Sequence, residues 1–253
     1  MTAKATPALP QTCCPTVWLW PGQALYAGPS LNLAPHSGSV WCLAVGIEGP
    51  LTVATPDGTM RTAHSVLIPP RVTHQLTCRG TGLVSCYLEP TSERADAGRL
   101  KFGDWRGEVG IHHVDEERLQ FSPTDDETAS YWLDLAAPSA QRRIDPRIAQ
   151  AAAKIRDAPA TTISSQELAA EAGLSESRFL HLFRDELGTS LRRYRLWVRL
   201  TRAGAAIAAG DNLTTAAMKA GFASPSHLAD RFKTTFGLSA SQLLGTGLTL
   251  RTP

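Results

Sequence analysis

Two sets of small, polar and basic side chains stand at helical spacing in the last third of the chain. Ser177, Arg178, Leu180, His181 and Arg184 form one, and Ser224, Ser226, His227, Asp230 and Lys233 form the other. Such groups suit the edges of nucleic-acid bases. Histidine donates or accepts there, leucine meets a thymine methyl, and aspartate accepts from a cytosine amine. Arg184 and Lys233 lie one turn further on, where phosphate is within reach. Any one of these residues alone fits a solvated helix face equally well. The elements that carry them therefore have to decide.

Behind each set runs an apolar stripe. Phe179, Phe183 and Leu187 back the first, and Leu228, Phe232 and Phe236 back the second at i, i+4, i+8. Ser175 and Ser224 are placed as N-caps, and Pro225 falls in a first turn, where its missing N–H is harmless. Gly188 and Gly237 can end the two helices in the left-handed conformation. A shorter helix precedes each, over 165–172 with a Ser164/Glu167 capping box, and over 214–220. Ala169, Ala172 and Gly173 recur as Ala217, Ala220 and Gly221. Ser177, Arg178, Phe179, Phe183 and Leu187 then recur as Ser226, His227, Leu228, Phe232 and Phe236, with one residue added in the turn. A repeat in register predicts a duplicated helix-turn-helix.

A long helix over 190–209 joins the copies. Its length of roughly 30 Å is close to the roughly 34 Å between successive major grooves. It carries Arg192, Arg193, Arg195, Arg199 and Arg202, expected either at the DNA backbone or in pairs within the protein. Pro146–Asp157 reads as a helix ahead of the repeat, and Ser239 with Gln242 caps a last short one.

The phrase Gly221-Phe222, Ser226-His227-Leu228, Phe232-Lys233 and Phe236-Gly237-Leu238-Ser239 resembles the signature of the AraC/XylS family of transcription regulators. The resemblance spans about the last hundred residues. Ala240, Leu243 and Asp230 depart from it, where the family favours proline, an aromatic ring and a basic residue. The resemblance implies double-stranded DNA as partner, a small-molecule effector, a homodimer and contact with RNA polymerase.

The front half reads differently. Short apolar runs at 17–20, 40–47, 51–54, 65–68 and 83–88 alternate with turn signals such as Asp57-Gly58. They predict an all-β barrel or sandwich. Val66-Leu-Ile-Pro-Pro-Arg-Val-Thr-His74 is similar to the second cupin motif, and Pro35-His36 lies near the place of the first. The fold class expected is thus a cupin-like barrel with added helices, followed by an all-α duplicated helix-turn-helix. Helices are expected over 92–100, 115–119 and 125–135, the last as a packing or dimerisation helix.

His36, His64, His74 and Trp41 are the candidate effector contacts, with Trp18 and Trp20 as further pocket candidates. A metal site needs three or four ligands. The usual cupin His-x-His pair is missing, since Ser37 and Gly38 follow His36, so no metal, cofactor or catalytic set is expected. The alternative class is a cupin-type metal-dependent enzyme with a helical appendage. Cys42, Cys78 and Cys86 fall in strand-like runs, as small hydrophobes or, alternatively, a thiol sensor.

The 253 residues suffice for two domains. The boundaries expected are a disordered tail at 1–16, a cupin-like effector and dimerisation domain at 17–137, a linker at 138–145, and a DNA-binding domain at 146–247. The two motifs fall at about 165–187 and 213–236. No apolar run approaches membrane-spanning length, and no signal peptide is legible at the start, so a cytoplasmic protein without membrane contact is expected. Five cysteines without zinc spacing suit a reducing compartment. Residues 1–144 carry 11 Lys+Arg against 14 Asp+Glu, whereas residues 145–253 carry 14 against 9. The basic half is the one expected to meet a polyanion.

Overall fold

The computed structural model describes residues 14–140 and 143–253. In the front half β1 (Thr16–Trp20), β2 (Gln23–Gly28), β3 (Trp41–Ile47), β4 (Leu51–Ala54), β5 (Met60–Ala63), β6 (Ser65–Ile68), β7 (Gln75–Cys78) and β8 (Gly82–Leu88) follow one another. Then come α1 (Glu93–Leu100), β9 (Phe102–Arg106), β10 (Val109–His113) and α2 (Asp126–Ala136). A small antiparallel sheet, β5-β4-β7, lies over a larger one that includes β1-β2-β8-β3-β6-β10-β9 in that order.

The pleat of the larger sheet serves two cores, because alternate side chains point to opposite faces. Cys42, Ala44, Val66 and Ile68 pack with Leu51, Val53 and Leu76 of the small sheet. Leu43, Val45, Leu67 and Cys86 face the other way, onto Trp132 and Leu133 of α2. Burial on both faces explains why β3, β6 and β8 read as continuous apolar runs. The helix α2 starts with a capping box between Asp125 and Thr128, and Trp132 Nε1 donates to Leu119 O at 3.0 Å.

One segment differs from expectation, and one hairpin was not foreseen. The segment at 115–119 forms successive turns rather than a helix. There Arg118 N bonds Asp115 O, and His113 Nδ1 accepts from Asp115 N. Residues 102–113, where no strand was expected, form a β9–β10 hairpin turned at Gly107 and paired to β6. Their polar composition hid the alternation. Of the expected tail at 1–16, residues 1–13 lie outside the described residues, while Thr16 opens β1.

The back half contains α3 (Pro146–Asp157), α4 (Ser165–Glu171), α5 (Glu176–Leu187), α6 (Leu191–Ala208), α7 (Leu213–Lys219), α8 (Pro225–Phe236) and α9 (Ala240–Leu244). Its caps are the expected ones, joined by Ser190 at the start of α6 and Asn212 at the start of α7. Phe179, Phe183 and Leu187 are fully buried against Ile148, Ala152 and Tyr194. Leu228 closes a second small core with Leu200, Ala217, Ala220 and Phe222. A final strand, β11 (Thr249–Arg251), then returns to the front half and pairs in parallel with β1, Leu250 beside Val17. Nothing in so short a polar stretch had suggested it.

Candidate nucleic-acid interface and interdomain cavity

The two motifs present their fronts unequally. On α5, Ser177, Arg178, Leu180, His181 and Arg184 are all exposed while Phe179 and Phe183 anchor the back. On α8, Ser226, Asp230 and Lys233 are exposed. Ser224 spends its side chain as N-cap, accepting from His227 N at 3.1 Å. The half-buried His227 ring meets Phe222 edge-on at 5.6 Å. Asp230 lies 3.5 Å from Arg231, so the departure from a basic residue is partly neutralised beside it.

Between the fronts runs a groove bordered by Leu180 of α5, His227 and Arg231 of α8, and Arg192, Arg195 and Arg199 of α6. Several of the α6 arginines are committed inside the protein. Arg195 donates to Ile163 O, and Arg199 to Pro159 O at 3.1 Å and to Thr162 Oγ1 at 3.2 Å. These bonds pin the α3–α4 connection. Arg193 donates to Ser37 Oγ and Gly38 O of the front half, each at 3.3 Å. Burial, then the neighbouring Arg199, lowers the Arg195 pKa. Arg192 and Arg202 are exposed.

The halves are joined through two further contacts. Glu89, at the end of β8, is buried and receives Arg156 Nη1 of α3 at 2.8 Å and Tyr194 OH of α6 at 2.6 Å. Arg156 also bonds the Tyr194 oxygen at 2.8 Å, and Thr91 donates to Glu89. The second contact is at the end of α8. Gly237 takes φ +77°, and its carbonyl accepts from Ala34 N at 2.9 Å. A Cβ there would meet Ala34 O at 2.4 Å and His36 Nδ1 at 2.8 Å.

An apolar cavity of about 140 Å³ lies along this seam. The front half contributes Leu25, Tyr26, Leu83 and Tyr87, and the back half contributes Trp197, Phe232 and Phe236. Phe232 and Phe236 border this cavity and are only half-buried, unlike Phe179 and Phe183 in the first motif. His36 and His74 border the cavity, with ring centroids 4.4 Å apart and reciprocal backbone bonds. Among the described residues no third His, Cys, Asp or Glu joins them as a metal-ligating group.

Two sequence candidates fall elsewhere. Trp41 points to the helical side of β3, where the Arg99 guanidinium lies 5.2 Å from its ring, because the pleat gives the cavity side to Cys42. His64 does not border the cavity, and its Nδ1 is buried without a partner among the described residues. Trp18 is fully buried and donates to Asp126. Burial pushes the Cys42 thiol up to about 12 and raises those of Cys86 and Cys78, so these cysteines are poor thiolates. Sequence reasoning missed Tyr87, Trp197 and Glu89, since each acquires its role only through the opposite half.

Residues 168–245 match the helix-turn-helix domain family. None of the curated proteins matches the chain in sequence. Among solved structures, an apo variant of ToxT from Vibrio cholerae superposes with TM-score 0.59 at 11% identity, covering 89% of this chain and 97% of that one. Wild-type ToxT with an unsaturated fatty acid bound gives TM-score 0.58 at 11% identity, covering 90% and 96%. A transcriptional regulator with an AraC-type DNA-binding domain from Chromobacterium violaceum is 21% identical over 40% of this chain and 92% of that one, with TM-score 0.37. No helix among the described residues is long and apolar enough to cross a membrane. The family match falls on the duplicated unit that bears the AraC/XylS signature, so the chain carries an AraC-type helix-turn-helix domain at its C-terminus.

Proposed function

We propose that α5 and α8 read two segments of one face of a DNA duplex, with α6 as a spacer of about 27 Å. The observation that carries this is the pair of exposed polar fronts on two capped helices with buried backs, with a groove between the helices lined by arginines of α6. Ser177, Arg178, Leu180 and His181 meet base edges, with Arg184 at phosphate. In the second motif Ser226 and Asp230 face the bases and Lys233 the backbone. Ser224 and His227 shape the entry of α8, one as its cap and the other against Phe222. Arg192 and Arg202 remain for phosphate.

The test is a gel-shift titration on the region upstream of the gene, against scrambled DNA and over a range of salt. Affinity falls steeply with salt. His181→Ala loses discrimination between the two sequences, and Arg184→Ala weakens both alike. Salt-independent affinity, or the same uniform loss for both variants, contradicts the reading.

The cavity on the seam is the proposed effector site, since a ligand there touches α6 and α8 together with the front half. ToxT, which shares the fold, has been solved with an unsaturated fatty acid. The proposed domain limits are 17–137 and 146–247, joined by a linker at 138–145. Homodimer formation, contact with RNA polymerase and a cytoplasmic location belong to the same reading. Exposed Tyr131 on α2, 6.1 Å from Phe121, supports a dimer face. The chain is read as a regulator rather than a metal-dependent enzyme because the helix-turn-helix match at 168–245 falls on the two helices with exposed polar fronts.

A further inference from the structure

The volume of the seam cavity, about 140 Å³, favours a small ligand seated within it. A dry apolar cavity of about 150 Å³ holds benzene, so this one fits about six to eight non-hydrogen atoms. One wall is aromatic, with the Tyr87 ring 5.7 Å from Phe236 and 6.3 Å from Trp197. No Lys, Arg, Asp or Glu borders the cavity among the described residues. A carboxylate entering it would lose its hydration with no fixed cation to compensate.

The polar atoms at the wall specify a different group. His36 Nδ1 lies 2.9 Å from Ala34 O, and His74 Nδ1 lies 2.9 Å from Val72 O. A carbonyl oxygen only accepts, so Nδ1 carries the proton in both rings. Each neutral imidazole then has Nε2 as an acceptor. Burial lowers the pKa of both, which keeps them neutral near pH 7. Trp197 also borders the cavity and is 1% exposed, and its Nε1–H, a donor only, has no partner among the described residues. The wall also carries the hydroxyls of Ser85, Tyr87 and Thr201, but the two histidine acceptors and the unpartnered Trp197 donor suit a ligand group that both donates and accepts, such as a hydroxyl.

We propose that the cavity binds a neutral single-ring aromatic bearing one hydroxyl, a phenol-class molecule, and excludes carboxylates and long acyl chains. This rests on the effector reading above. It also separates the chain from ToxT, whose bound ligand is an unsaturated fatty acid.

Calorimetric titration of the full chain with p-cresol, toluene, benzoate and oleate at about pH 8 tests it, with binding to the upstream DNA measured in parallel. p-Cresol is expected to bind saturably, at least about tenfold more tightly than benzoate or oleate. Trp197→Phe is expected to weaken p-cresol about fivefold more than it weakens toluene, since one neutral hydrogen bond is lost. Leu243→Phe, at a half-buried wall position, is expected to abolish p-cresol binding while DNA binding persists. Benzoate or oleate binding more tightly than p-cresol overturns the proposal and leaves the effector reading standing. Equal loss of toluene and p-cresol in Trp197→Phe overturns the hydroxyl assignment. No binding of any probe by a chain that still binds DNA overturns both the proposal and the effector reading, but not DNA recognition.

Discussion

Burial holds His74 neutral: desolvation first, then the neighbouring His36, brings its pKa down to about 4, against a raising hydrogen bond to Val72 O. His36 is lowered too, chiefly by burial. Both values lie below that of an unfolded histidine, so the unfolded chain takes up protons first as the pH drops. Stability is therefore fully present above about pH 6.5 and falls between about 6.5 and 4, by a few kcal/mol in all. Asp57 and Asp145, held near 2 mainly by side-chain hydrogen bonds to Thr55 and Arg147, act below that window. Urea denaturation at stepped pH should show this slope in the wild type and a flatter one in His74→Phe. An unchanged slope in the variant would assign the loss to other groups. The sequence marked His36 and His74 as notable. Their pairing across 37 intervening residues, and the Trp197 donor on the wall of the same cavity, depend on packing that no local pattern encodes.

At the scale of elements, the two recognition helices share a sequence pattern but differ in surroundings. Each ends in a left-handed glycine, Gly188 at φ +63° and Gly237 at φ +77°. A Cβ on Gly188 meets nothing within 4 Å, whereas one on Gly237 meets Ala34 O at 2.4 Å. Gly188→Ala should therefore show only the conformational penalty of about 1 kcal/mol. Gly237→Ala should lose more, because α8 must also move away from the front half. Urea midpoints of the two variants check this, and equal losses would remove the role given to that contact. The caps of α4, α5, α8 and α9, and the stripes and stop signals of the two motifs, were legible because each is decided within one or two helical turns. The β9–β10 hairpin was not, since its sheet position comes from β6, far away in the chain.

For the whole molecule, the Glu89–Arg156–Tyr194 cluster ties the halves together and the two charges are unequally buried. The Glu89 side chain is 2% exposed and that of Arg156 is 36% exposed. Removing Arg156 strands a buried carboxylate, so Arg156→Ala should lose about 3–5 kcal/mol. Glu89→Ala leaves a guanidinium that still reaches water and should lose about 1–3 kcal/mol. Denaturation of both variants gives the order, and the reverse order would mean that Glu89 is not the stranded partner. The cluster also places α3 and α6, and with them the first motif, relative to the front sheets.

The sequence by itself determined the duplicated helix-turn-helix, its caps and the polar fronts of α5 and α8. Helical period and capping are local, and both halves of the repeat carry them. It also indicated a β-rich front half, through short apolar runs and turn residues. Only the tertiary structure decided that α6 arginines serve the α3–α4 connection, that β11 returns to pair with β1, and that an aromatic cavity lies between the halves. These features join residues such as Glu89 and Tyr194, 105 positions apart. Contacts at that separation follow from how two cores meet, and they leave no period in the chain to read.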